Sequence, residues 1–192
     1  VSDKYIRIYF YKIRAERNFR FIHDLATHCE LSFTHPKTSE FLTWSASESA
    51  KAGDLSKIQE ACATGGTLAF QMWWSECEDL FCTVHSSGTF DAIDLFLSGV
   101  SQNHLERLQV VLQKMITSDI YTNDIAALIV DTDGSTANIP WDTRLMQGFD
   151  ANEPLPVIMM ISTSLPAYNK LNRSHYGEIV ATDTIARVVP IS

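Results

Sequence analysis

From residue 67 to residue 116 the chain alternates three times and then changes period. Leu68, Phe70, Met72 and Trp74 alternate with Ala69, Gln71, Trp73 and Ser75. A period of two over this length predicts a half-buried strand over 67–76. Glu76-Cys77-Glu78-Asp79 is polar and suits the turn that follows. Residues 80–86 alternate again, with Leu80, Cys82 and Val84 opposite Phe81, Thr83 and His85. Ser86-Ser87-Gly88 is a turn signal. A third strand over 90–97 sets Ile93, Leu95 and Leu97 against Ala92, Asp94 and Phe96, and Ser98-Gly99 ends it. The period then becomes helical: Leu105, Leu108, Val111, Leu112, Met115 and Ile116 form one stripe. The helix starts at Ser101 or at Asn103, whose Glu106 stands at capping-box spacing. Laying that stripe on the Leu68–Phe70–Met72–Trp74 face leaves a second sheet face with Gln71, Trp73, Phe81, Thr83, His85, Asp94 and Phe96. Such a mixture of aromatic and polar groups has the makeup of a binding surface, unless another segment covers it.

Before this stretch, residues 4–13 read as a strand, with Ile6, Ile8 and Phe10 on one face and Arg7, Tyr9 and Tyr11 on the other. Phe21, Ile22, Leu25, Ala26 and Cys29 predict a helix at 17–30. Residues 31–53 carry the weakest pattern. His35-Pro36 disfavours helix there, and a long connection with one turn of helix is expected. Asp54 caps a helix over 55–63, which Thr64-Gly65-Gly66 ends. After the central stretch, 125–130 is apolar on both faces and suits an interior strand. Residues 140–156 read as irregular, 157–161 as a two-faced strand, 168–176 as a loop, and 178–191 as one strand or a bent pair.

The order β, α, α, β-β-β, α, β, β, β lacks strict βαβ alternation. It predicts an α+β fold with a mixed or mainly antiparallel sheet and helices packed chiefly on one face. With 192 residues and no internal repeat, one globular domain over 1–192 is expected.

Charge adds a second layer. Residues 41–169 hold five Lys/Arg against sixteen Asp/Glu, a balance of −11, within a net charge of −8. An acidic middle repels nucleic acid and anionic membrane and attracts a basic partner. No apolar run approaches the roughly 20 residues that span a bilayer. Cys29, Cys62, Cys77 and Cys82 have neither zinc nor disulfide-framework spacing. They read as free and mostly buried thiols, which points to a reducing, cytoplasmic setting. The chain starts Val-Ser-Asp without a signal-peptide pattern, a start compatible with a removed presequence.

Candidate chemistry is sparse. Asp131-Thr132-Asp133-Gly134 follows an interior strand and offers two carboxylates, but lacks further ligands at calcium-loop spacing and suits a turn equally well. Cys82 and His85 are three apart on a strand and so face opposite ways. Gly65-Gly66 has no Lys-Ser/Thr after it, and no serine sits in a Gly-x-Ser-x-Gly elbow. The common hydrolase and NTPase classes are thereby disfavoured, and no cofactor and no metal is expected.

Glu76, Glu78 and Asp79, with Asp91 and Asp94, read instead as a solvated acidic edge, with Trp73 as an aromatic anchor beside it. At the level of class, a small acidic α+β domain with an aromatic-acidic face resembles the bacterial immunity proteins. That resemblance implies binding and neutralising a cognate basic toxin or enzyme through Trp73, Glu76, Glu78, Asp79, Asp91 and Asp94. The alternatives are an enzyme with a dispersed polar or metal-dependent pocket near His85, Asp131, Asp133 and Trp141, and a subunit of a larger assembly.

Overall fold

The computed structural model describes residues 4–12, 15–45, 48–149, 154, 156–171, 176–181 and 183–190. At 15, 45, 48–52, 176–181 and 189–190 the description is of the backbone. The fold is α+β. Ten strands form one sheet among the described residues: β1 (Tyr5–Tyr11), β2 (Leu42–Ser45), β3 (Glu48–Ala52), β4 (Leu68–Ser75), β5 (Glu78–Ser86), β6 (Phe90–Phe96), β7 (Ile125–Asp131), β8 (Ile158–Ser162), β9 (Tyr176–Ala181) and β10 (Ile185–Pro190). Their spatial order is β3-β2-β4-β5-β6-β1-β7-β8-β10-β9, with every neighbour antiparallel. The N-terminal strand thus lies inside the sheet, between β6 and β7.

Alternation sorts the side chains onto two faces. Ile6, Ile8 and Phe10 of β1 join Phe70, Met72, Leu80, Cys82, Val84, Ile93 and Leu95 in one core. Three helices supply its other half: α1 (Ala15–Cys29), α2 (Leu55–Thr64) and α3 (Gln102–Ile116). An edge-to-face run of rings, Phe10–Phe21–Tyr121 with centroids 5.2 and 5.0 Å apart, ties β1 to α1 and to the turn after α3. On the opposite, outer face a smaller core gathers Tyr5, Tyr9, Ala127, Ile129, Met159, Ile161 and Val188. It is closed by α4 (Trp141–Gln147) and α5 (Pro166–Asn169) through Trp141, Leu145 and Leu165.

Local chemistry sets the helix ends. Asp54 accepts a hydrogen bond from the Ser56 amide at 2.7 Å to start α2. Gly65, at φ 68°, ends it in the left-handed conformation that a side chain resists. Ser101, not Asn103, caps α3: its side chain accepts from the His104 amide.

Two segments depart from the sequence expectation. Within 31–53 lies the β2–β3 hairpin rather than a connection with a helical turn. Its Ser/Ala/Glu-rich composition has little strand preference of its own. Pairing of Thr43 with Phe70 and Trp44 with Ala69 across to β4 overrides it. The segment expected to be irregular after Pro140 opens with α4, which the burial of Trp141 and Leu145 stabilises. The C-terminal expectation of a bent pair is met by β9 and β10. Residues 172–175 of the expected 168–176 loop, and 150–153 and 155 of the irregular segment, lie outside the described residues.

Ile8→Ala, in the interior strand, is expected to lower the unfolding free energy by about 2–5 kcal/mol. Asp54→Ala, at the α2 cap, is expected to cost about 1 kcal/mol. Urea denaturation measures both, and equal small losses would contradict the interior placement of β1.

Candidate functional site

Strand register lays out the outer face in rows. One row runs Gln71, Phe81, Phe96, Tyr5, Asp131; the next runs Ala69, Thr83, Asp94, Arg7, Ile129; a third runs His85, Ala92, Tyr9, Ala127. From β1 onward these positions, Arg7 apart, are buried in the core that α4 and α5 close. Toward β4 the face opens: Gln71, Asp79, Phe81, Thr83, His85 and Phe96 are half-exposed, while Ala92 and Asp94 of β6 are still buried. Trp44 of β2 is half-exposed beside them. Its ring lies 5.4 Å from Phe81, and Phe81 lies 5.7 Å from Phe96. Three aromatic rings in contact therefore line the open half of this face, next to Gln71, whose amide donates to Asp79 at 2.7 Å.

An ionic group marks the border between the open and covered halves. Arg7 donates to Asp94 through Nε at 2.5 Å and through Nη2 at 2.9 Å. The guanidinium also lies over the rings of Tyr5 and Tyr9, at 5.2 and 5.9 Å. His85 Nε2 lies 3.2 Å from Asp94 Oδ2. Side-chain exposure is 6% for Asp94 against 26% for Arg7 and 24% for His85. The carboxylate is thus the buried member that orients two partly accessible bases. Burial alone would raise the Asp94 carboxyl. Hydrogen bonds from His85 and Arg7, with the Arg7 charge, outweigh it and hold the carboxyl below its ordinary value. Because Asp94 accepts from Nε2–H, the neutral His85 ring presents Nδ1 as an acceptor.

The predicted acidic edge is not one surface. Strand β5 begins at Glu78, two residues earlier than the sequence suggested, so Glu78 and Asp79 stand in the strand and point to opposite faces. Glu78 lies on the helix side, accepting from the Ser101 amide at 2.8 Å and pairing with His104 at 2.7 Å. Asp91 is on that side too, bonded to Asn18 at 3.2 Å. Asp79 and Asp94 share the outer face, and Glu76 is exposed in the turn. Asp94 is buried and paired, not part of a solvated edge. Trp73 is also on the outer face, but the chain's own residues cover it. Ser32 exchanges both backbone hydrogen bonds with it, and His35 packs edge-on at 4.5 Å.

Sequence reasoning placed Gln71, Phe81, Thr83, His85, Asp94 and Phe96 on one face and missed two contributors. Trp44 was hidden in the poorly patterned 31–53 segment. Arg7 faces Asp94 across 87 residues of sequence. The available signal was the lone charge of β1, Arg7, and the one carboxylate of β6 that parity puts on the outer face, Asp94.

The second candidate group separates. Asp131 on β7 and His85 on β5 have two strands, β6 and β1, between them. Asp131 is fully buried, and its oxygens accept from the amides of Asp133, Gly134 and Thr136 and from the Thr136 hydroxyl. Tyr5 contacts Thr136 Oγ1 at 3.1 Å and accepts from the Trp141 indole at 2.7 Å. Asp131 is thus the organiser of a turn. Among the described residues no group of three or more His, Cys, Asp or Glu could hold a metal ion. Cys29, Cys62 and Cys82 are buried free thiols, and burial pushes Cys29 up to about 11 and Cys62 up to about 12. Cys77 is free and exposed.

Compared with known proteins, the chain matches no family model, no curated protein and no solved structure. No helix among the described residues is long and apolar enough to cross a membrane.

Asp94→Asn removes the charged acceptor of Arg7 and His85 and is expected to cost about 1.5–3 kcal/mol at neutral pH. A carboxyl held low in the folded state takes up its proton first in the unfolded chain. Its contribution is therefore present above the unfolded value of about 3.9 and lost as pH falls through the lower folded value. Urea melts of both proteins from pH 7 to pH 2.5 should show the difference shrink below about pH 4. A difference independent of pH would contradict the ionic pairing.

Proposed function

We propose that the chain is a small acidic protein-binding module of the immunity type, which docks a basic protein partner on the open half of the outer sheet face and blocks it. The observation that carries this reading is the half-exposed row Trp44–Phe81–Phe96. Rigid aromatic rings with polar neighbours favour association, because they bury much apolar area for few rotatable bonds. Gln71, Thr83 and His85 provide directional hydrogen bonds around them. Asp79 beside the row and Glu76 in the adjoining turn supply negative charge, and the net charge of −8 steers a basic partner toward the molecule. Trp73, Glu78 and Asp91 act in this reading as support, through the packing of residues 32–35, α3 and α1. Asp94 holds Arg7 and His85 in place. No cofactor, nucleic acid or membrane enters the reading.

A second reading rests on the Asp94–His85 pair. A carboxylate that fixes the imidazole tautomer and leaves the other ring nitrogen facing a half-open surface is the arrangement of a general base. The aromatic row favours the binding reading, since it extends away from His85 along the face.

Immobilised wild-type protein is expected to retain one basic partner at equimolar ratio from lysate of the source organism and to inhibit that partner's activity. Phe81→Ala and Trp44→Ala should each weaken binding at least tenfold, about 1.4 kcal/mol. Glu76→Lys with Asp79→Lys should slow association and flatten its salt dependence. Full retention by both aromatic variants would overturn the reading. A purified partner whose activity is unaffected would overturn the inhibitor part of it.

A further inference from the structure

On the opposite side of the molecule, α1 and α3 and the turn after α3 enclose a groove of about 310 Å³, open along one side. Its size is that of a small-molecule site. Val111, Met115 and Ile120 make its walls largely apolar. Ile120, which lines it, remains 49% exposed. A large apolar side chain left half in water at the wall of a concavity marks it as incompletely filled.

The polar groups of the groove are not equivalent. Asp24 is engaged: it accepts from the Tyr121 hydroxyl at 2.5 Å, and Arg20 Nε stands 3.7 Å away. Burial and the neighbouring Asp24 raise the Tyr121 phenol, so it remains a donor to that carboxylate. The Ser118 hydroxyl is spent on the Met115 carbonyl at 2.6 Å. His28 Nδ1 lies 2.6 Å from the Asp24 carbonyl, and therefore donates to it. Lys114 is different. Its ammonium has no carboxylate within 4.0 Å among the described residues. The groove thus combines apolar walls with one unneutralised cation at the mouth.

We propose that this groove binds a small free amphipathic carboxylate, its apolar body on Val111, Met115 and Ile120 and its head group on Lys114. An aliphatic monocarboxylate fits both halves: the chain removes apolar wall from water, and the carboxylate meets the ammonium at the solvent-facing end. A cationic amphiphile would meet Lys114 with like charge. The site lies on the helix side of the sheet and does not depend on the reading of the open outer face.

Isothermal titration with decanoate and with decylamine, below the micellar range, tests this. One decanoate per chain is expected, with decylamine at least tenfold weaker. Lys114→Glu should weaken decanoate at least tenfold, and Ile120→Trp should abolish binding by filling the groove. Both side chains are exposed, so both variants should keep the wild-type melting temperature. Phe81→Ala, on the other side of the sheet, should bind decanoate as wild type does. Absence of saturable binding, equal affinity for the amine, or unchanged binding in both groove variants would overturn the proposal. So would binding confined to anionic vesicles.

Discussion

Insertion of β1 between β6 and β7 is the constraint on which the rest of the structure depends. Tyr5 pairs with Phe96 on one side and with Asp131 on the other, so the first strand completes a sheet whose other members come from far along the chain. Closing such long loops costs entropy before any contact is gained. Burial on both faces offsets it: Ile6, Ile8 and Phe10 enter the large core, and Tyr5 and Tyr9 the small one. The same register brings Arg7 onto Asp94 and places the Tyr5 hydroxyl between Thr136 and the Trp141 indole. Through that last contact the strand also fixes the turn held by Asp131 and the start of α4. One strand therefore sets the sheet, the ionic group and the cover of half the outer face.

The two faces differ in kind. Helices α1, α2 and α3 cover the inner face, and every inward residue of β5 from Leu80 to Val84 is buried. Helices α4 and α5 are short, and the outer core they close reaches from the far strands over β1 only as far as Phe90 and Ala92 of β6. What remains is a strip along β2, β4, β5 and β6 where aromatic rings stay half in water. A strip of this composition costs solubility and aggregation resistance unless it is used. The strip ends at Arg7, Asp94 and His85, so the transition from dry core to open surface is made by a charged group whose hydrogen bonds are satisfied.

Much of this was legible in the sequence because period-two and period-3.6 patterns report burial directly. The strands around 67–97, the helix stripes of α1 and α3, and the Asp54 and Gly65 ends of α2 are local signals, and the outer-face residues of β4, β5 and β6 followed from parity alone. The rest depended on contacts between distant segments. The β2–β3 hairpin exists because β4 offers it an edge, and its own composition argues against a strand. Trp73 was exposed by parity but is covered by His35, from a loop whose path no periodicity describes. A shift of two residues at the start of β5 divided Glu78 from Asp79, because in a strand neighbours face opposite ways. Charge counts located the acidic middle without saying which carboxylates share a face.

Hydroxyl-radical footprinting of the free protein, read residue by residue by mass spectrometry, tests most directly whether half the outer face is open. Trp44, Phe81 and Phe96 should be oxidised readily, while Phe70 and Trp141, in the two cores, should stay protected. Phe81 and Phe96 as protected as Phe70 would mean that the face is covered, and would contradict the surface on which the functional reading rests.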